Sequence, residues 1–369
     1  MSDTQSFIGK HRDLLDTPAL LIDLDILDDN IQNMADYFSG ISTDLRPHLK
    51  THKNPIIAQK QIDAGAIGIT CAKLGEAEAV VDFGIQDVLI ANQIVGPQKI
   101  ERLINLADRS RIMVAVDCSE NVQDISDAAK SKGVTVRILI EVNIGMNRCG
   151  VEPGNDVLEL AKHICDSPNL VFEGLMGYEG HIVARTSKDD REKAVKNDMQ
   201  HLVDSKKLLT ENGISVNIMS GGGTGTYDIT SRIPEMTEIQ AGSYVFMDST
   251  YNRVEGLDKK FENSLSLLTT IVSRPQPKRI IVDAGMKVLT TEFGNPQPIG
   301  YSDLEMVGLS EEHGKLEASN DSINLKPGEK IKLLPTHCCT TVNLHDKCYG
   351  IRNEIVEYCW DITARGKAQ

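Results

Sequence analysis

The chain has 369 residues, 40% hydrophobic and 25% charged, and Lys+Arg 39 against Asp+Glu 53 leaves a formal net charge of −14. That balance excludes a disordered chain, a collagen-like repeat and a disulfide-dense mini-protein, and at about 150 residues per domain it suggests two domains. An acidic surface repels phosphate backbones and no apolar run approaches the roughly 20 residues of a bilayer span, so neither nucleic acid nor membrane is an expected partner. The opening MSDTQSFIGKHRD lacks the apolar core of a signal peptide. Eight irregularly spaced cysteines suit reduced thiols, so a cytoplasmic setting is expected. Cys71, Cys118 and Cys165 lie in or beside apolar segments and are expected to be inert core residues.

In chain order, strand candidates are ALLIDLD from Ala19, LRPHLK from Leu45, AIGITCA from Ala66 and DVLIAN from Asp87. RIMVAVD from Arg111, VRILIEVN from Val136, FEGLMGYEG from Phe172 and VNIMSGGG from Val216 complete a set of eight. Most are apolar on both faces, as strands of a parallel sheet buried between helices are. Amphipathic stretches separate them, among them KLGEAEAVVDFG, GPQKIERLINLAD and NDVLELAKHICDS, several punctuated by Gly, Ser or Pro. Eight β/α units predict a (β/α)8 TIM barrel over residues 1–255. A doubly wound sheet would place a glycine-rich turn after the first strand, where the sequence reads DLDILDDN. Beyond Gly256, SLSLLTTIVS, RIIVDAG, LEMVGLS, GEKIKLLP and YGIRNEIVEYCWDI read as strands without long helices. They predict a smaller C-terminal antiparallel β domain over residues 256–369, with the N-terminal residues free to pack on it.

Barrels do chemistry at the C-terminal ends of their strands. Arg46, His48, Lys50, Glu141, Asn143, Arg148, Tyr178, Glu179 and His181 all fall there. SGGGTG, from Ser220, follows a strand, and its glycines let backbone N–H groups approach an anion, with the Thr224 hydroxyl as a further donor. AGSY, Ala241 to Tyr244, is a second donor set; a plain strand-to-helix loop is the alternative. A lysine at the end of a buried strand, desolvated beside cationic groups, becomes a nucleophile toward carbonyls. With a phosphate cradle this points to a Schiff base between Lys50 and pyridoxal phosphate, Lys53 being the nearest competitor. In LLPTHCCTTVNLHD, His337 and Cys339 share one side of an extended strand. Imidazole with a soft thiolate suits Zn²⁺ better than Mn²⁺ and leaves positions open for substrate; a buried thiol near an unrelated histidine is the alternative.

RPHLKTHK, GMNRCGV, SGGGTG, EIQAGSYVFMD, VDAGMK, EEHG and PTHCCTTVNLHD, taken in this order, resemble the D-threonine aldolase and eukaryotic-type D-serine dehydratase family. This family is a branch of the alanine-racemase-like, fold-type III pyridoxal phosphate enzymes. The resemblance runs from DTPALLIDLD to DITARGK and implies the same barrel and β domain. It implies that Lys50, rather than Lys53, binds the cofactor, that Arg148 contacts its phenolic oxygen, and that Tyr178 contacts it. Gly223, Thr224, Gly242, Ser243 and Tyr244 correspond to the phosphate cradle. His337 and Cys339 correspond to the divalent metal pair (Zn or Mn), with Cys338 and His345 as neighbours. The aldolases usually carry aspartate at the second metal position and the dehydratases cysteine, whereas the text around Cys339 is aldolase-like. The implied activity is retro-aldol cleavage of a D-β-hydroxy amino acid, D-threonine or D-3-hydroxyaspartate, to glycine and an aldehyde, with metal-bound hydroxide or a histidine such as His181 as the candidate base. D-serine or D-3-hydroxyaspartate dehydration is the alternative; a racemase or a non-catalytic pyridoxal phosphate carrier is more distant. Related enzymes make a homodimer the expected assembly.

Overall fold

A computed structural model describes residues 4–257 and 259–369. The chain runs β1 (Ala19–Asp23), α1 (Leu24–Ser39), β2 (Asp44–Leu45), α2 (Pro55–Asp63), β3 (Ile69–Cys71), α3 (Leu74–Phe83), β4 (Asp87–Ile90) and α4 (Pro97–Ala107). It continues β5 (Arg111–Val116), α5 (Ser119–Lys132), β6 (Val136–Glu141), α6 (Asn155–Asp166), β7 (Leu170–Gly177), α7 (Lys188–Glu211), β8 (Ile218–Gly221), α8 (Tyr227–Thr230) and β9 (Glu238–Ile239). The remainder is β10 (Leu265–Gln276), β11 (Arg279–Val282), β12 (Gln297–Pro298), β13 (Leu304–Leu309), β14 (Gly314–Ala318), β15 (Lys330–Leu334), α9 (Cys338–Val342), β16 (Lys347–Arg352) and β17 (Ile355–Asp361). Two compact units result. One comprises the segment up to Asn33, Thr51–Asn54 and Ser243–Arg365; the other comprises Met34–Lys50, Pro55–Gly242 and Gly366–Gln369.

The second unit holds the parallel sheet, in the order β2-β9-β8-β7-β6-β5-β4-β3. A parallel bridge between His48 and Thr70 joins its two ends, so eight strands close into the expected (β/α)8 barrel. Two strand assignments differ from the sequence reading. ALLID, expected as the first barrel strand, lies in the other sheet. The eighth barrel strand is the two-residue β9, too short to register as an apolar run. Where LRPHLK was expected as a strand, β2 covers only Asp44–Leu45; the Arg46 and His48 amides still donate to Ile239 and Ala241, Pro47 has no N–H to add, and Leu49–Thr51 then forms a 3₁₀ turn. Gly84 and Gly133 end α3 and α5 in left-handed conformations, as their place after the helical pattern predicts.

Side chains alternate along a strand, so one face of each barrel strand points inward and the interior is layered. Arg46, expected at the C-terminal strand ends, instead sits in a charged layer at the N-terminal ends between two carboxylates, Nη1 to Asp87 at 2.6 Å and Nε to Glu238 at 3.0 Å. Arg111 reaches Asp87 at 3.3 Å and Arg137 donates to Glu173 at 2.7 Å. Two residues up the strands lies an apolar layer of Leu89, Met113, Ala115, Leu139 and Met176. Above it the strand ends turn polar again. Gly68 admits the lower layer, since a Cβ there would stand 2.3 Å from Arg46 Nη1. Cys71 is buried, but Cys165, expected in the core, is exposed on α6, and Cys118 is half-buried.

The first unit holds the second sheet, in the order β13-β14-β11-β10-β1-β16-β17, with β15 pairing to β10 and β12. β1 is antiparallel to β10 and parallel to β16. It is buried on both faces there, which is why its composition mimics a barrel strand. Leu15, Ala19, Leu21, Leu268, Ile351 and Val356 form a core cluster of this unit. YGIRNEIVEYCWDI, expected as one strand, folds back as the β16–β17 hairpin, with Asn353 and Glu354 both at positive φ in its turn.

Replacing Arg46 by Met leaves the carboxylates of Glu238 and Asp87 without their shared cation. The expected loss is about 3–5 kcal/mol of unfolding free energy in a urea titration. Arg111→Met, at an exposed pair, is expected to change stability by about 0.5 kcal/mol or less.

Candidate functional site

In the barrel unit, Lys50 emerges on the turn after β2, and its Nζ lies 5.3 Å from the centroid of the Tyr178 ring. The Arg148 guanidinium lies 5.6 Å from the centroid of the same ring. Arg148 is steered by Glu141, the last residue of β6, at 3.7 Å, and Glu141 accepts a 2.6 Å hydrogen bond from Gln93. Burial pushes the Glu141 carboxyl up, against the opposing pull of Gln93 and Arg148. Lys53, the rival lysine, belongs to the other unit, where its carbonyl accepts from the amide of Ala364.

The glycine-rich loop after β8 is shaped by Glu179, which has no exposed surface. One carboxylate oxygen accepts the hydroxyls of Thr226 (2.8 Å) and Thr230 (2.6 Å), and the other accepts the amide of Gly222 at 3.2 Å. The Gly223 amide donates to Thr226 Oγ1 at 3.1 Å, so the first two loop amides are used in holding the loop itself. A Cβ on Gly223 would press on Val183 and Tyr178, and one on Gly225 would fall 1.7 Å from the Val183 carbonyl oxygen. The glycines therefore let the loop pack closely on Val183 and Tyr178, with buried Thr224 at its centre. The loop stands against the Tyr178 ring that Lys50 and Arg148 approach. A primary amine, a guanidinium and a glycine-rich loop beside one ring are groups that fit a phosphorylated aldehyde. His181, beyond Tyr178, has its Nε2 2.8 Å from Asp198 Oδ2. Gly242 is buried in this unit.

In the sheet unit, His337 is the extended residue that precedes α9 and Cys339 lies in the helix's first turn. The pair does not share a strand face, as the i, i+2 spacing predicts; it converges across a helix start, with Cys339 in hydrogen-bonding reach of the imidazole. His337 Nδ1 is bonded to Glu292 at 2.7 Å, and Thr340 Oγ1 donates to the same carboxylate. Phe293 packs on the imidazole at 5.1 Å between centroids. Burial opposes a charge on His337, but the hydrogen bond and charge of Cys339, then Glu292, outweigh it and push its pKa up to about 9. Asp248, buried by its surroundings, accepts the amides of Cys338 (3.1 Å) and Tyr251 (2.9 Å) and so pins the start of α9. Thr51, next in the chain after Lys50, lies 3.3 Å from Cys339 Sγ, and Ser243 Oγ lies 3.7 Å from it. Tyr244 is fully buried, its ring packed beside Phe261 at 5.7 Å.

An imidazole whose far nitrogen is bonded to a carboxylate, beside a thiol, is a donor set that fits a divalent cation. Among the described residues no group of three His, Cys, Asp or Glu converges on one point, so the protein supplies an open pair of donors. Cys338 is fully buried, its Sγ 4.0 Å from Cys339 Sγ, and burial raises its thiol well above the ordinary value. His345 is bonded through Nε2 to the Val288 carbonyl at 2.9 Å. Sequence reasoning noted Glu141 and Glu179 as strand-end polar residues without a role, and missed Asp198, Asp248 and Glu292. Glu179 had a signal, standing between Tyr178 and His181, whereas Glu292 is 45 residues from its histidine. Glu292→Gln is expected to weaken divalent-cation binding about 10- to 100-fold in a chelator competition.

The chain matches the alanine racemase, N-terminal domain family over residues 22–250 and a putative serine dehydratase domain over residues 264–351. It is 38% identical to a D-threonine aldolase of Arthrobacter sp over 95% of this chain and 93% of that protein. It is 36% identical to a 3-hydroxy-D-aspartate aldolase of Paracoccus denitrificans over 99% and 96%. A D-threo-3-hydroxyaspartate dehydratase of Delftia sp. is more distant, 29% identical over 89% and 92%. The crystal structure of a D-threonine aldolase from Filomicrobium marinum superposes with a TM-score of 0.94 at 38% identity, covering 97% of this chain and 98% of the other. With more than half its length matched by the alanine racemase N-terminal domain and the rest of the barrel and sheet shared with these relatives, the chain belongs to the alanine-racemase-like family, in its D-threonine aldolase and D-serine dehydratase branch.

Proposed function

We propose that this chain is a lyase that uses pyridoxal phosphate and a divalent cation to cleave a D-β-hydroxy amino acid between Cα and Cβ, releasing glycine and an aldehyde. D-threonine and D-3-hydroxyaspartate are the substrates in view. The observation that carries the reading is the approach of Lys50 and Arg148 to one Tyr178 ring, on which the glycine-rich loop packs. Lys50 would hold the cofactor through its aldehyde carbon, Arg148 at its phenolic oxygen, and Thr224 and Gly242 at its phosphate; Gly223, expected there too, has its amide committed to Thr226. When bound, the cofactor supplies an electron sink for the pair left on Cα. A cation held by His337 and Cys339 supplies Lewis acidity toward the substrate's β-hydroxyl, and the soft thiolate favours a zinc-like ion. His181 receives the β-hydroxyl proton. Glu141 keeps Arg148 aimed, and Glu179 keeps the loop open. The aldolases' higher identity, 38% and 36% against 29% for the dehydratase, supports carbon–carbon cleavage.

Dehydration is the second reading, favoured by Cys339 at the position where dehydratases carry cysteine. The purified protein, loaded with pyridoxal phosphate and Zn²⁺ or Mn²⁺, is expected to turn D-threonine into glycine and acetaldehyde. Release of 2-oxobutanoate and ammonia instead would make it a dehydratase. Chelation is expected to abolish cleavage while preserving the visible absorbance of the lysine-bound cofactor; full activity in the chelated protein refutes the cation's role. Lys50→Ala is expected to lose that absorbance, with Lys53→Ala keeping it.

A further inference from the structure

His181 has two ring nitrogens, and only one of them is committed. Nε2 faces Asp198 Oδ2 at 2.8 Å. A carboxylate accepts and does not donate, so this contact fixes the neutral imidazole as the tautomer with hydrogen on Nε2. Nδ1 is then the nitrogen that carries the lone pair. Asp198 is held on its other side as well: Oδ1 accepts from Asn197 Nδ2 at 3.1 Å. It projects from α7 beside Met199, which is buried, and its own side chain is 14% exposed, against 31% for His181.

The pair is seated against the loop that carries Arg148. Gly145, at φ +117°, approaches so closely that a Cβ there would lie 3.1 Å from Asp198 Oδ2 and 3.6 Å from His181 Cε1. That loop has its own clasp: Asn143 Oδ1 accepts the amides of Gly145 (3.2 Å) and Asn147 (3.0 Å). The loop presenting Arg148 and the imidazole therefore share one packed surface, and a residue on α7, a helix the motifs of this chain do not mark, lies at its centre.

We propose that Asp198 is a positioning residue for the lyase reaction, fixing the tautomer and orientation of His181 so that Nδ1 is the atom that receives the substrate's β-hydroxyl proton. This rests on the retro-aldol reading above. The hydroxyl proton passes to Nδ1, the O–H electron pair becomes the second carbon–oxygen bond of the aldehyde, and the Cα–Cβ pair stays with the glycine carbon. That carbon then takes up a proton. Asp198→Asn keeps the shape of the side chain but can turn its amide toward Nε2 as a donor, which favours the opposite tautomer. This is the orienting logic known for carboxylate–histidine pairs in hydrolases.

The test combines kinetics with a measurement that needs no turnover. In nitrogen-15 spectra of the holoenzyme, His181 is expected to carry hydrogen on Nε2, and in Asp198→Asn that tautomer is expected to be lost. Hydrogen on Nδ1 in the parent protein overturns the proposal whatever the reaction is. For D-threonine cleavage, Asp198→Asn is expected to lower kcat about 100-fold with KM and cofactor content unchanged. In a His181→Gln background the same substitution is expected to cost nothing further, because the aspartate acts through the imidazole. Additive losses, or unchanged kcat in the single variant, refute the positioning role. If the parent protein does not cleave D-threonine while its His181 carries hydrogen on Nε2, the retro-aldol reading fails and the tautomer assignment stands.

Discussion

A carboxylate taken out of water must gather hydrogen-bond donors around it, and in this protein several of those donors fix the loops and turns that carry the candidate site residues. Glu179 is the extreme case. Without solvent contact, its two oxygens are satisfied by Thr226, Thr230 and the Gly222 amide, and this closes the glycine-rich loop into one shape. The loop cannot relax without leaving that carboxylate unpaired in the barrel. Glu141 repeats the arrangement beneath Arg148, and Asp198 repeats it behind His181. In the sheet unit Glu292 holds His337 and Asp248 holds the start of α9. Three of the candidate site residues, Arg148, His181 and His337, thus stand beside a carboxylate.

The layered barrel interior makes this possible. The charged layer around Arg46 neutralises the N-terminal ends of the strands, and the apolar layer above it excludes water from the middle. Polar residues at the opposite ends then stand on a dry floor, where an ionic or hydrogen-bonded contact is stronger than in water. Stability and chemistry are assigned to opposite ends of the same strands, a division typical of this architecture.

Cys338 and Cys339 show how little sequence distance matters once a helix begins. They are adjacent, yet the first is a fully buried thiol raised by burial, while the second stands beside His337, Thr51 and Ser243. Adjacent residues on a helix point about 100° apart, so the two neighbouring thiols face different surroundings.

Pattern along the chain was enough for the barrel and the second β domain, and it marked Lys50, Arg148, the glycine loop and His337–Cys339 as candidates, the last on a strand where the chain forms a helix start. These are properties of local pattern: apolar runs buried on both faces, glycines where backbone must approach closely, and motif order along the chain. It did not decide which sheet ALLID joins, because burial on both faces reads the same in either. It missed β9, whose two residues make no run, and the reversal at Asn353–Glu354, whose left-handed turn lacks the usual glycine. Above all it did not supply Asp198 for His181 or Glu292 for His337, separated by 17 and 45 residues. Such partners obey no spacing rule. They are set by which side chains the fold brings to a buried donor, and only the tertiary structure decides that.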